Sequence, residues 1–250
     1  SAARDLVAAL NAAPEPDHDW DGHEGLAETI LEAEPAVLLA EIVRLARSGV
    51  PATELSGAVA YAASRRALHF SVTNEVSDWE TVHHAFTYAN AVDQALRRAP
   101  DPLVARGILD AAMAVSLERF LNIPRKPVPV ASGRHVTREA ILALFDEHGA
   151  VDDAAQLVAD ALATDGQAHV IAVLGHALVR EDSGFHEFQM FEAGVRQSRQ
   201  LERRLGDHVL LGVTRYLAAH APTRRARFQT FDVASRLQRG EELHAEAADV

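Results

Sequence analysis

The sequence predicts an all-α protein, a helical bundle of about twelve helices, and three observations carry that prediction. Alanine, leucine, arginine and glutamate, all strong helix formers, dominate nearly the whole chain. Strict alternation of apolar and polar residues over strand-length windows is hard to find. Apolar residues recur instead at intervals of three and four, the spacing of one helical face.

In chain order, the first four helices are expected over 3–11, 23–33, 35–48 and 52–69. Asp21 with Glu24 reads as the cap of the second, because side-chain oxygens there satisfy free backbone N–H groups. The fifth is expected over 78–99, opened by a capping box of Ser77 and Glu80. The sixth, over 102–122, follows Asp101 and takes Pro102 in its first turn, where a missing N–H is no loss. Residues 123–134 break the pattern: Pro124, Pro127 and Pro129 hold the chain extended, so the stretch reads as a linker. Six further helices are expected over 136–148, 151–163, 167–181, 184–205, 207–220 and 223–238.

Residues 1–250 are read as one domain whose linker joins two halves of similar helix count, 20–122 and 135–238. A short repeat connects the halves. His84-Ala-Phe-Thr-Tyr-Ala-Asn-Ala91 and His186-Glu-Phe-Gln-Met-Phe-Glu-Ala193 share an H-x-F-x4-A pattern at an offset of 102. Each copy follows a serine, Ser77 or Ser183, and an aromatic residue, Trp79 or Phe185. His69 and His176 lie upstream, and Gly107 and Gly212 downstream. Duplication would make two pseudo-symmetric halves, each presenting two histidines to a shared interior. Alanine-rich helices also match by chance, so both readings stand.

Composition excludes whole chemistries. The chain has no cysteine, and Lys126 is its single lysine beside twenty-three arginines. Disulfides, cysteine zinc sites, iron–sulfur clusters and thiol nucleophiles are thereby removed, leaving imidazole and carboxylate for metal chemistry. A net charge of −12 argues against nucleic acid and against an anionic membrane surface, both of which need a basic face. No stretch reaches the ~18 apolar residues of a membrane-spanning helix. The N-terminus has neither the basic region nor the apolar core of a signal peptide, so a cytoplasmic protein is expected. There is no Gly-rich phosphate loop, no G-x-S-x-G elbow and no H-E-x-x-H helix.

The thirteen histidines divide by setting. His18, His23, His135, His148 and His244 lie among polar or loop-like residues and read as solvated. His208 and His220 bracket a helix and read as structural, the second complementing a helix C-terminus. His69, His83, His84, His169, His176 and His186 sit inside or at the ends of long apolar helices. Neighbours on a helix diverge by ~100°, which predicts that only one of His83 and His84 serves a given ion. His169 and His176 lie ~10 Å apart along one helix, and His176 ranks higher because Gly175 permits close approach. The metal candidates are therefore His69, His83, His84, His176 and His186. Three or four imidazoles converging from separate helices can hold iron, zinc, copper or nickel inside a bundle. Phe86, Tyr88, Phe188 and Met190, with Phe191, lie within a turn of these residues and are candidates to line an apolar pocket. Ordinary core packing is the competing reading for each. Asn90 and Glu192 hold matching positions in the repeat. A di-iron site through Glu80-x-x-His83 is disfavoured, because the other such pair, Glu241-x-x-His244, lies in the acidic tail.

Three segments resemble the questin-oxidase-like family of helical, histidine-ligated non-haem iron oxygenases acting on aromatic polyketides. They are His83-His84-Ala-Phe-Thr-Tyr-Ala-Asn-Ala91, the run from Asp165 through His169 to His176, and His186. The resemblance implies an iron ion held by His69, one of His83 or His84, His176 and His186, with a position for dioxygen and an aromatic small-molecule substrate. Family members are longer and can use a carboxylated lysine as ligand, and the matching position here is Ala172. The ligand set is then all histidine, or Glu187 or Glu192 completes it, or the ion is another divalent metal or absent. The first half also resembles helical regions attached to Rieske-type ferredoxin domains, which implies a ferredoxin-type electron donor. The competing expectation is a non-enzymatic helical module, binding an apolar ligand or serving a redox partner, in which the histidines are structural.

Overall fold

Residues with a three- and four-residue apolar rhythm do become helices. The computed structural model describes residues 1–13 and 19–241, and contains twelve α-helices and no strand among them. In order these are α1 (Ala2–Ala12), α2 (His23–Glu32), α3 (Pro35–Arg47), α4 (Ala52–Leu68), α5 (Val76–Arg98), α6 (Arg106–Leu117), α7 (Arg138–Leu144), α8 (Val151–Thr164), α9 (Gln167–Arg180), α10 (Phe185–Gln200), α11 (Arg203–Ala219) and α12 (Ala226–Gln238). A short 3-10 turn, Arg119–Asn122, follows α6. None of the helices in the described residues is long and apolar enough to cross a membrane.

The central element is α4. Every residue from Leu55 to Leu68 is buried, as expected of a helix that is small and apolar on nearly all sides. It packs against α2, α5, α6 and α11. Alanine at 58, 60, 62, 63 and 67 lets those neighbours come close. Of its two buried arginines, Arg65 pairs with Glu28 at the edge of the core at 2.6 Å, and Arg66 is satisfied within it. Arg66 donates to the carbonyls of Val115 and Leu31 at 3.0 and 2.9 Å and to Asn122 Oδ1 at 3.0 Å. Against this centre, α1, α3 and α6 cover one side and α8 and α9 the other, with α7 outermost.

Helix interiors fall where the sequence predicts, whereas several ends shift. α5 begins two residues early, because Asp78 Oδ2 accepts the Glu75 N–H at 3.1 Å and replaces the expected Ser77–Glu80 box. α6 begins only at Arg106: Asp101 Oδ1 accepts from Leu103 N–H at 2.6 Å and stabilises a separate turn. Ser183, just before α10, turns its hydroxyl back to the Leu178 carbonyl at 2.8 Å, and Glu187 holds the start of that helix instead. The proline-rich stretch is extended and tied down. Lys126 N–H donates to His69 O at 3.0 Å, and Ser132 N–H and Oγ donate to Asp160 Oδ1 at 2.5 and 2.9 Å.

Candidate metal centre

Two helices build the site, and they are the pair matched by the repeat pattern. Val82, Phe86 and Ala89 turn one stripe of α5 into the core and carry His83 inward with them. His83 is fully buried, while His84, its neighbour in sequence, is exposed. On α10 the Gly184 N–H donates to the Glu187 carboxylate at 2.7 Å, which starts the helix so that His186 falls in its first turn. Because α5 and α10 pack on each other, the three rings meet. Ring centroids stand 4.8 Å apart for His83 and His186, and 5.1 Å apart for each of them from His84. One ring nitrogen from each residue lies within 4.8 Å of the other two. Nitrogens sharing one ion at ~2.0–2.1 Å stand ~3.4 Å apart, so the triad is wider than a closed metal site and would have to draw together to hold an ion.

The inner wall of the triad is aromatic. The His83 ring stacks on Tyr216 of α11 at 5.4 Å and 29°, and Tyr216 in turn meets His220 at 4.3 Å and Trp79 at 6.3 Å. Neither ring nitrogen of His83 is in hydrogen-bond geometry with a partner, nor is the Tyr216 hydroxyl, although all three atoms are buried. A buried polar atom left unpaired costs roughly 1–3 kcal/mol, which a ligand on that atom relieves. Burial, reinforced by His186 and His84 and opposed by the His186 backbone, pushes the His83 pKa down to about 4. The imidazole is therefore neutral near pH 7, with a lone pair available to a cation. Burial, then the carboxylates of Glu187 and Glu80, push the Tyr216 phenol up, so that it stays protonated.

The structure departs here from the four-helix convergence expected of the sequence. His69 is buried at the end of α4, away from the triad: its Nδ1 donates to Lys126 O at 2.7 Å, and Nε2 receives Arg65 at 3.1 Å and Arg125 at 2.9 Å. Both of its nitrogens are occupied. His176, half-buried on α9, faces the Arg138 guanidinium, a poor neighbour for a cation. His83 and His84, expected to exclude each other, both reach the centre, because His186 approaches from the facing helix between their directions. Glu187 and Glu192 do not join the triad; Glu192 pairs with Arg196.

The remaining candidates are placed as follows. Phe86 and Met190 are wholly buried in the apolar core, so they line no open pocket. Tyr88 and Phe188 are exposed, and Phe191 packs at 3.4 Å over the position a Gly175 Cβ would take. Asn90 Oδ1 accepts from Gln197 at 3.0 Å within a buried polar network. His169 stays outside the triad. His208 is held by the Tyr61 hydroxyl at 2.8 Å, and His23 pairs with Glu54 at 3.0 Å. His135 and His148 are exposed, whereas His18 and His244 lie outside the described residues. Sequence reasoning missed Tyr216, the residue under His83, and a lone tyrosine in an apolar helix carries no motif that singles it out. No family model, no curated protein and no solved structure matches the chain, so the centre rests on its own geometry.

Proposed function

We propose that the protein is a metal-dependent oxygenase in which His83, His84 and His186 hold one iron ion beside an apolar aromatic small molecule. The observation that carries the metal is the triad itself: three imidazoles on two helices, one with both nitrogens buried and unpartnered. Bound there, iron would supply Lewis acidity and access to dioxygen chemistry, with a ferredoxin-type protein as electron donor. The chain's own residues position and enclose. Thr87 Oγ1 donates to the carbonyls of His83 and His84 at 3.0 and 3.3 Å and steadies this turn of α5. Trp79 and Tyr216 exclude water from the inner side. On the outer side an open groove of about 450 Å³ runs between α5 and α10, with Phe185 and Phe188 as apolar walls and Asn90, Gln189 and Glu192 as polar positions. The Phe185 ring touches His186 at 4.0 Å, so a flat ligand lying on it reaches the triad. The resemblance to the questin-oxidase-like oxygenases favours iron within this reading.

A second reading, a zinc centre for hydration or hydrolysis, is favoured by one observation. Among the described residues no carboxylate joins the triad, and three imidazoles are the donor set of a catalytic zinc site. Metal analysis of protein purified without an affinity tag separates the two. One ion per chain is expected, iron for the oxygenase and zinc for the hydrolase. His83→Ala and His186→Ala should lose it, and His69→Ala and His176→Ala should keep it. A chain that takes up neither anaerobic Fe(II) nor Zn(II) rules out both readings.

A further inference from the structure

We propose that Tyr216 is a positioning residue for the metal centre: its hydroxyl oxygen accepts the ring N–H of His83 once the other His83 nitrogen holds an ion. The inference rests on the triad being a metal site and applies to iron and zinc alike. A neutral imidazole offers one lone pair and one N–H, so a histidine that gives its lone pair to an ion has a second nitrogen in need of an acceptor. His84 is exposed and His186 partly so, and water serves their second nitrogens. His83 is fully buried, so its acceptor has to come from the protein.

Tyr216 is stacked on that ring, 5.4 Å away and inclined at 29°. The two rings hold three buried polar atoms without partners: Nδ1 and Nε2 of His83 and the Tyr216 hydroxyl. One ion and one hydrogen bond satisfy all three. The hydrogen bond by itself would leave the His83 lone pair buried and unpaired, so each contact favours the other. The triad is wider than a closed site, so His83 has to shift to hold an ion, and the surface it shifts over is the Tyr216 ring. The His186 backbone also faces His83, but it lies inside α10, where its carbonyl accepts within the helix. The tyrosine is itself fixed. His220 packs on its ring at 4.3 Å and donates from Nδ1 to the Tyr216 backbone carbonyl at 2.8 Å, and Trp79 meets it edge-on at 6.3 Å. A phenol held in this way sets the tautomer and tilt of His83, the role that outer partners of histidine ligands play.

The test compares the full native chain with Tyr216→Phe, using Zn(II) and anaerobic Fe(II) as probes. The variant should bind either metal roughly 10- to 100-fold more weakly. Without metal it should melt no lower than the native chain, because the hydroxyl it lacks has no partner there. A tyrosine that only fills the core would behave otherwise, costing the metal-free and metal-loaded forms equal stability and leaving Kd unchanged. A second measurement needs no variant. On addition of diamagnetic Zn(II) to the native chain with 15N-labelled histidine, one exchange-protected ring N–H of His83 should appear, with a cross-relaxation peak to the Tyr216 ring. Equal Kd values for the two proteins, or a His83 N–H with no such peak, would overturn this proposal and leave the metal site standing. A native chain that takes up neither metal would overturn both.

Discussion

His69 shows how a buried histidine is spent on structure. Lys126 O takes its Nδ1–H and two arginines approach Nε2, so the ring is an acceptor between cations and not a ligand. Burial pushes its pKa down to about 4; the Arg125 and Arg65 charges add to this and the Lys126 carbonyl opposes it. The sign of the linkage follows. An unfolded histidine titrates near ~6.5, so the folded chain binds fewer protons below that pH, and the stability present above it is lost as pH falls through about 4. His69→Gln keeps a donor for Lys126 and an acceptor for the arginines but does not titrate. The native chain is expected to lose up to ~3 kcal/mol more than the variant between neutral and acid pH. Denaturant midpoints across that range measure it, and parallel curves would place the acid sensitivity elsewhere. At this scale the sequence reads residue type and helical position, which suffice to raise His83, His84 and His186. They do not tell His69 apart from these, because Lys126 and Arg125, its partners, arrive from 56 residues away or more.

Among the elements, glycine substitutions separate intrinsic propensity from packing. Gly25 lies on the exposed face of α2, and an added Cβ there meets nothing within 4 Å. Gly25→Ala should therefore stabilise by ~0.5–1 kcal/mol, the usual gain in a helix. Gly212 lies where α11 crosses α4, and a Cβ would come within 2.8 Å of the Ser64 carbonyl oxygen. Gly212→Ala has the same gain in propensity, yet it should destabilise by ~1–3 kcal/mol because a backbone atom has no way to yield. Urea midpoints moving in opposite directions test the pair. The same division explains which features of the helices are legible. Interiors follow from alanine-rich periodicity, as in α4 and α9, and match the expected spans closely. Ends are less legible, because Glu75, Ser77, Asp78 and Glu80 all offer oxygens at the start of α5 and the entry angle of the chain selects among them.

On the scale of the whole molecule, an ion at the triad would join α5 to α10 and so stabilise the native state. At a hundred times its Kd, a metal that binds only the folded chain adds ~2.7 kcal/mol, so Tm should rise on addition of Fe(II) or Zn(II) and stay fixed in His83→Ala. A rise in both proteins would place the binding elsewhere. The sequence by itself determined the all-α class, the near-complete order of helices and the exclusion of cysteine chemistry, because helical propensity and apolar period act within a few residues. It also marked His84 and His186 through their shared pattern. What only the tertiary structure decided is which histidines converge. That depends on how α5, α10 and α11 are rotated and spaced by side chains distant in sequence, and it brings together His83, His84 and His186 over Tyr216 while committing His69 to two arginines. Contacts within a helix repeat every turn and can be read along the chain; contacts between helices are set by packing across the core, where no local rule applies.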